Sequence, residues 1–258
     1  MEIKYYYLVH IQYLGFRYHG WLKQPELKTV ASMIEKTMKF ILKDAPFKIM
    51  GSSRTDAKVS ANHGVFELFV EDPLDTAALL DALNVNLPGD IKALTVEVVA
   101  PGFSVVNAPR VKEYLYLFSH GEKCHPFCAP LIASFAEYLD VDRMKEGARL
   151  FEGTHNFKRY CTKPKPGTRL EREILLSKIK KNDLFTASFF PEESYAYHVH
   201  ARGFMRNQVR LMMGQLLSLG RGEIALSDIR ASLAQGQGSP LRHIAPASGL
   251  ILNSIRFV

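Results

Sequence analysis

The chain has 258 residues, 47% of them apolar and 23% charged, with a formal net charge of +7. That balance describes a globular chain long enough to bury a sizeable core, and it excludes disordered and fibrous classes. No apolar run is long enough to cross a bilayer as a helix, the opening residues lack the pattern of a signal peptide, and three cysteines are too few for a disulfide framework. The expectation is a cytoplasmic protein with no membrane contact and a polyanionic partner.

In chain order, Lys4 to Tyr13 alternates at a period of two, with Tyr5, Tyr7, Val9, Ile11 and Tyr13 on one face of a strand. A glycine-rich and aromatic turn, Leu14 to Trp21, follows. Thr29 is placed to cap a helix over about Val30–Leu42, and short strands are expected near Phe47–Met50 and Val65–Val70. Between them lies Gly51-Ser52-Ser53-Arg54-Thr55-Asp56-Ala57-Lys58, where a guanidinium and a carboxylate sit two residues apart in a stretch able to turn tightly. Taken alone, an Arg-x-Asp pair reads first as an ordinary loop salt bridge, with an activated carboxylate as the alternative. A helix over Asp75–Val85, stopped by Asn86-Leu87-Pro88-Gly89, and a strand over Leu94–Ala100 complete a β-α-β-β-α-β order. That is the ferredoxin-like arrangement.

The second half opens with a strand over Lys112–Phe118, then a helix over Val141–Phe151. Strands are expected over Arg172–Lys180, Leu184–Phe190 and Tyr195–Ala201. A helix over Phe204–Leu219 carries the stripe Met205, Val209, Met212, Met213, Leu216 and Leu217, with Gly220 as its C-cap. A short helix near Ser227 and a strand over Gly249–Val258 close the chain. The fold expected is α+β: two ferredoxin-like halves, residues 1–104 and 105–258, sharing a mostly antiparallel sheet with a central cleft.

Nine basic residues between Lys158 and Lys181 face only Glu171 and Glu173, in a segment broken by Pro164, Pro166 and Gly167. It reads as a solvated basic loop or a phosphate-contacting surface, and the net charge favours the second. Arg206 and Arg210, four apart on the expected helix, would share a polar face suited to a carboxylate or phosphate. His120, Cys124, His125 and Cys128 lie close together, but no paired C-x-x-C is present and prolines interrupt the stretch, so no metal is expected.

Six segments in order resemble the TruA-type tRNA pseudouridine synthases. They are Tyr13-x-Gly15 with Gly20-Trp21-x-x-Gln24, then Arg54-Thr55-Asp56-Ala57, then Asn84 to Ile91. Lys112-x-Tyr114-x-Tyr116, Phe204 to Arg210, and Ala245-Pro246-Ala247-Ser248-Gly249-Leu250 follow. The resemblance implies isomerisation of uridine in the anticodon stem-loop of tRNA, at positions 38, 39 or 40, by a cofactor-free homodimer. It implies Asp56 as nucleophile, Arg210 as its partner, Arg54 as the residue holding the flipped nucleotide, Tyr114 stacked on the uracil, Leu250 as an apolar floor, and Lys58 and Arg206 as contacts to the RNA. The chain departs from the family pattern where Lys58-Val59-Ser60 stands in place of Gly-Val-His, where Val106 follows Phe103 without the usual arginine, and at Leu22, where glutamine is common. The alternative these departures raise is a catalytically weak or site-shifted paralogue that acts mainly by binding RNA.

Overall fold

The computed structural model describes residues 4–43, 45–234 and 239–257. By contact the chain divides into two units, Met1–Pro109 with Leu252–Val258, and Arg110–Ile251.

In the first unit, β1 (Tyr5–Tyr13), α1 (Val30–Ile41), β2 (Phe47–Gly51), β3 (Ser60–Val70), α2 (Thr76–Asn86) and β4 (Ile91–Val98) follow the expected β-α-β-β-α-β order. β1 pairs antiparallel with both β3 and β4, placing Val9 opposite Phe66 on one side and Val96 on the other. Tyr7, Val9, Ile11 and Tyr13 are buried, as the period-two pattern requires, while Tyr5 at the strand end is exposed. α1 begins where Thr29 predicts. The Thr29 side chain accepts from the Ser32 amide at 3.2 Å, and the Thr29 amide donates to the Ser32 hydroxyl at 3.0 Å. That reciprocal cap satisfies two amides the helix cannot. Asp75 caps α2 with a single bond, its side chain accepting from the Ala78 amide.

Two strand starts differ from the sequence expectation. β3 begins five residues earlier than Val65, because its polar first half finds cross-strand partners: Asn62 accepts from Gln12 and donates to Asn253. β4 begins at Ile91 rather than Leu94. The Asn84 side-chain amide bonds both backbone groups of Ala93, at 2.9 and 3.0 Å, and so pins the strand to the end of α2.

The second unit contains β5 (Arg110–His120), a short β6 (Ala133–Phe135), α3 (Val141–Arg149), β7 (Gly153–Asn156), β8 (Glu171–Lys181), β9 (Tyr195–Ala201), α4 (Gln208–Gly220) and α5 (Leu226–Ala234). The strands run in the order β5-β9-β8-β7, antiparallel throughout, with β6 parallel to β5. β10 (Leu250–Phe257) begins in this unit and its later residues belong to the first. The expected closing strand starts one residue earlier, at Gly249, which closes a 3₁₀ turn instead, and its last residue, Val258, lies outside the described residues.

Three expectations are corrected here. Leu184–Phe190 is not a strand: the Asn182 side chain accepts from the amides of Leu184 and Phe185, folding the chain into a local turn that competes with a ladder. Phe185 and Phe190 are instead packed against the buried cluster of Leu115, Leu117, Cys128 and Ile132. α4 starts at Gln208 rather than Phe204, because Asn207 adopts a left-handed backbone (φ 60°) that no α-helix accepts. Arg206 therefore precedes the helix and does not share its face with Arg210. Gly220 is the last helical residue, and Arg221, with φ −78°, is the C-cap. Among the described residues, no helix is long and apolar enough to cross a membrane.

Candidate active site

In the first unit the site is a loop between β2 and β3 fastened by several main-chain bonds. The Trp21 amide donates to the Thr55 carbonyl at 3.1 Å, the Lys58 amide to the Tyr18 carbonyl at 3.0 Å, and the Val59 amide closes a turn on the Asp56 carbonyl at 3.2 Å. The Thr55 hydroxyl bonds Tyr13 Oη at 2.8 Å inside the core. These contacts come from the glycine-rich turn after β1, and they need glycines. A Cβ on Gly20, whose φ is +88°, would stand 2.6 Å from the Thr55 carbonyl oxygen, and one on Gly15 would overlap the Val59 carbonyl. The loop is thus built by close backbone approach across some forty residues of sequence. It buries Ser52, Ser53 and Thr55, leaves Asp56 half-buried, and turns Arg54 and Lys58 to solvent.

Two of the departures from the family pattern acquire a physical reading. Lys58 occupies a left-handed backbone position (φ +67°), the conformation that a glycine adopts without strain. Its ammonium lies over the Phe16 ring, 5.7 Å from the centroid. Ser60 accepts a hydrogen bond from the Gly15 amide at 2.9 Å, so it fastens the turn to the start of β3. The turn has a second anchor in Asp90, which accepts from Tyr18 Oη at 2.6 Å and Arg17 Nε at 2.8 Å. Hydrogen bonding from Tyr18 and Arg17 outweighs the opposing cost of burial and holds this carboxyl below the usual range.

The second unit gathers a different set. Tyr114, half-buried on β5, meets the Phe204 ring edge to face at 5.3 Å. Arg210, in the first turn of α4, donates from Nε to the Ala245 carbonyl at 2.8 Å and from Nη1 to Asn207 Oδ1 at 3.4 Å. Asn207 in turn donates to Thr162 Oγ1 at 2.8 Å, and the Thr162 amide donates to the Arg206 carbonyl, so the basic segment is tied to the Arg206–Asn207 turn. Tyr116 is fully buried and donates to the Pro246 carbonyl at 2.9 Å. Burial raises its phenol while the Arg210 charge pulls the other way. Leu250 is buried at the start of β10.

The basic segment is not one loop. Lys158 and Arg159 lie in a 3₁₀ turn, Lys163, Lys165 and Arg169 in irregular chain, and Arg172, Lys178, Lys180 and Lys181 on β8. Sequence reasoning missed Asn207 and Lys112. An Asn ahead of an apolar helix is the signal for a left-handed residue, so the first was findable. Lys112 is buried on β5 two residues before Tyr114, and burial together with neighbouring Arg110 pushes its ammonium down to about 7. Nothing in the local sequence marks that.

The first unit thus presents a half-buried carboxylate on an anchored loop, and the second, taken by itself, presents an arginine and a tyrosine. A family profile described as tRNA pseudouridine synthase matches residues 148–258. Over 249 residues the chain is 31% identical to the tRNA pseudouridine synthase A of Listeria monocytogenes serotype 4a, covering 95% of this chain and 96% of the relative. It is 30% identical over 253 residues to that of Dictyoglomus thermophilum, covering 96% and 98%, and 29% identical over 250 residues to that of Thermodesulfovibrio yellowstonii, covering 95% and 96%. The chain belongs to the TruA-type tRNA pseudouridine synthase family.

Proposed function

We propose that this protein isomerises uridine to pseudouridine in the anticodon stem-loop of tRNA, with Asp56 as the nucleophile. The observation that carries the reading is family membership over nearly the whole length of both chains, with Asp56 at the tip of a backbone-anchored loop. In the reaction the C1′–N1 bond breaks, a C1′–C5 bond forms, C5 loses a proton and N1 gains one. Atoms balance without redox chemistry, and a carboxylate suits the covalent step. Arg210 is proposed to keep Asp56 ionised and oriented. Arg54 holds the nucleotide out of the stack, because a base in a stem must be flipped to be reached. Tyr114 stacks on the uracil and Leu250 lies beneath it. Lys58, Arg206 and the basic segment contact phosphates, which gives affinity and salt dependence rather than choice of base.

The same reading makes the protein a cytoplasmic homodimer. Sedimentation of the purified chain tests the dimer. The chemistry is tested with tRNA tritiated at uracil C5: the wild-type chain releases label, and Asp56→Ala releases none while still retarding tRNA on a gel. Label release by Asp56→Ala refutes the nucleophile assignment, and failure of the wild type to release label refutes the activity.

A further inference from the structure

We propose that Glu113, His198 and His200 form a binding site for a divalent transition ion of the zinc type, bracing β5 against β9. His198 and His200 are two apart on β9 and so project from the same face of the sheet. Glu113 on β5 is the register partner of His200, which places its carboxylate beside both rings. Glu113 Oε1 is 3.2 Å from His200 Nε2 and 3.9 Å from His198 Nδ1, and the three ligand atoms all lie within 4.8 Å of one another. Two ligands held at roughly 2.0–2.1 Å from a tetrahedral ion stand about 3.3–3.4 Å apart, so small side-chain rotations bring this set to bonding geometry.

The chemistry of the donors selects the ion. Two imidazole nitrogens and one carboxylate oxygen suit zinc and its first-row neighbours, whereas magnesium and calcium prefer all-oxygen shells. Three protein ligands leave a further position for water or a substrate oxygen. The side chains are only 13% (His198), 20% (His200) and 18% (Glu113) exposed, so the site is largely withdrawn from bulk water. Lys178, in register with His198 on β8, is one cation the ion must tolerate.

The two other clusters do not offer this. In the first unit, His10 Nδ1 and His63 Nε2 bond each other at 2.6 Å and leave no gap for an ion. Cys124 bonds Ser119, while Cys128 donates to the Phe189 carbonyl and its thiol is pushed up by burial, so neither is set to act as a thiolate ligand.

The test uses tag-free, chelator-stripped protein titrated with zinc by calorimetry. One equivalent binds the wild type, zinc but not magnesium raises its melting temperature, and His198→Asn, His200→Asn and Glu113→Gln each weaken binding by at least about tenfold. Absence of zinc binding, or stoichiometric binding unchanged in all three variants, overturns the proposal. A measurement on the wild type alone guards against variants that misfold: zinc should protect His198 and His200 from diethyl pyrocarbonate, mapped by mass spectrometry. Equal modification with and without zinc also overturns it.

Discussion

The Asp56 loop and the Arg206–Arg210 turn present the proposed chemistry with a different balance of main-chain and side-chain bonds. The first is held by main-chain bonds to Thr55, Asp56 and Lys58 and by glycines that admit backbone against backbone. The second adds side-chain bonds, Asn207 to Thr162, Arg210 to Ala245, Gln208 to Met205 and Tyr116 to Pro246, to main-chain bonds from Thr162 to Arg206 and from Ala245 to Arg210. A backbone-built loop tolerates changes in its outward side chains and fails when anything is added inside it. A side-chain-built turn behaves in the reverse way, because each polar group removed strands a partner.

The sharpest break of that contrast is Gly15→Ala. Its methyl group meets the Val59 main chain, which cannot rotate away, so a loss of about 3 kcal/mol is expected, with tRNA modification falling in parallel. Urea unfolding and label release read the two effects. Next is Asn207→Ala, which removes two side-chain bonds and puts alanine in a left-handed position, for about 2 kcal/mol. If the two anchors work as described, double-mutant unfolding with Thr162→Val will show less than additive loss. Lys58→Gly goes the other way: relief of the left-handed backbone should stabilise the chain by about 1 kcal/mol. Removing the ammonium above Phe16 should at the same time weaken tRNA binding, seen as a higher KM at unchanged kcat.

A pH profile gives a further readout, with contributions from both units. Burial lowers both His10 and His63, so as pH falls past about 6.5 the unfolded chain takes up protons first and stability drops. Lys112 is lowered to about 7 from its ordinary 10.5, so between those values the unfolded chain holds a proton the folded one lacks, and stability rises with pH. His63→Gln should flatten part of the acid limb and Lys112→Met the alkaline limb, measured as melting temperature against pH.

Much of the fold was legible because its signals are local. Thr29 and Asp75 mark the starts of α1 and α2, and β9 begins and ends where its alternation does. The misplacements come from competition that a short window does not contain. Apolar spacing continues through Phe204 and Met205, yet one left-handed asparagine delays α4. The aromatic run to Phe190 looks like a strand but spends its apolar surface on a distant cluster. For the candidate site, residue identities were readable from motifs, but the anchoring of the Asp56 loop was not. It depends on Tyr13, Gly15, Tyr18 and Trp21, roughly forty residues away, and on backbone atoms that carry no sequence signature.

β10 has a consequence for the order in which the protein matures on the ribosome. The first unit is completed by Leu252–Val258, and Asn62 on β3 waits for Asn253, 191 residues later. Contacts of that span are slow to close, and an incomplete sheet offers unpaired backbone to neighbouring chains in the meantime. The unit that carries Asp56 thus gains this strand only after the second unit's residues have been made.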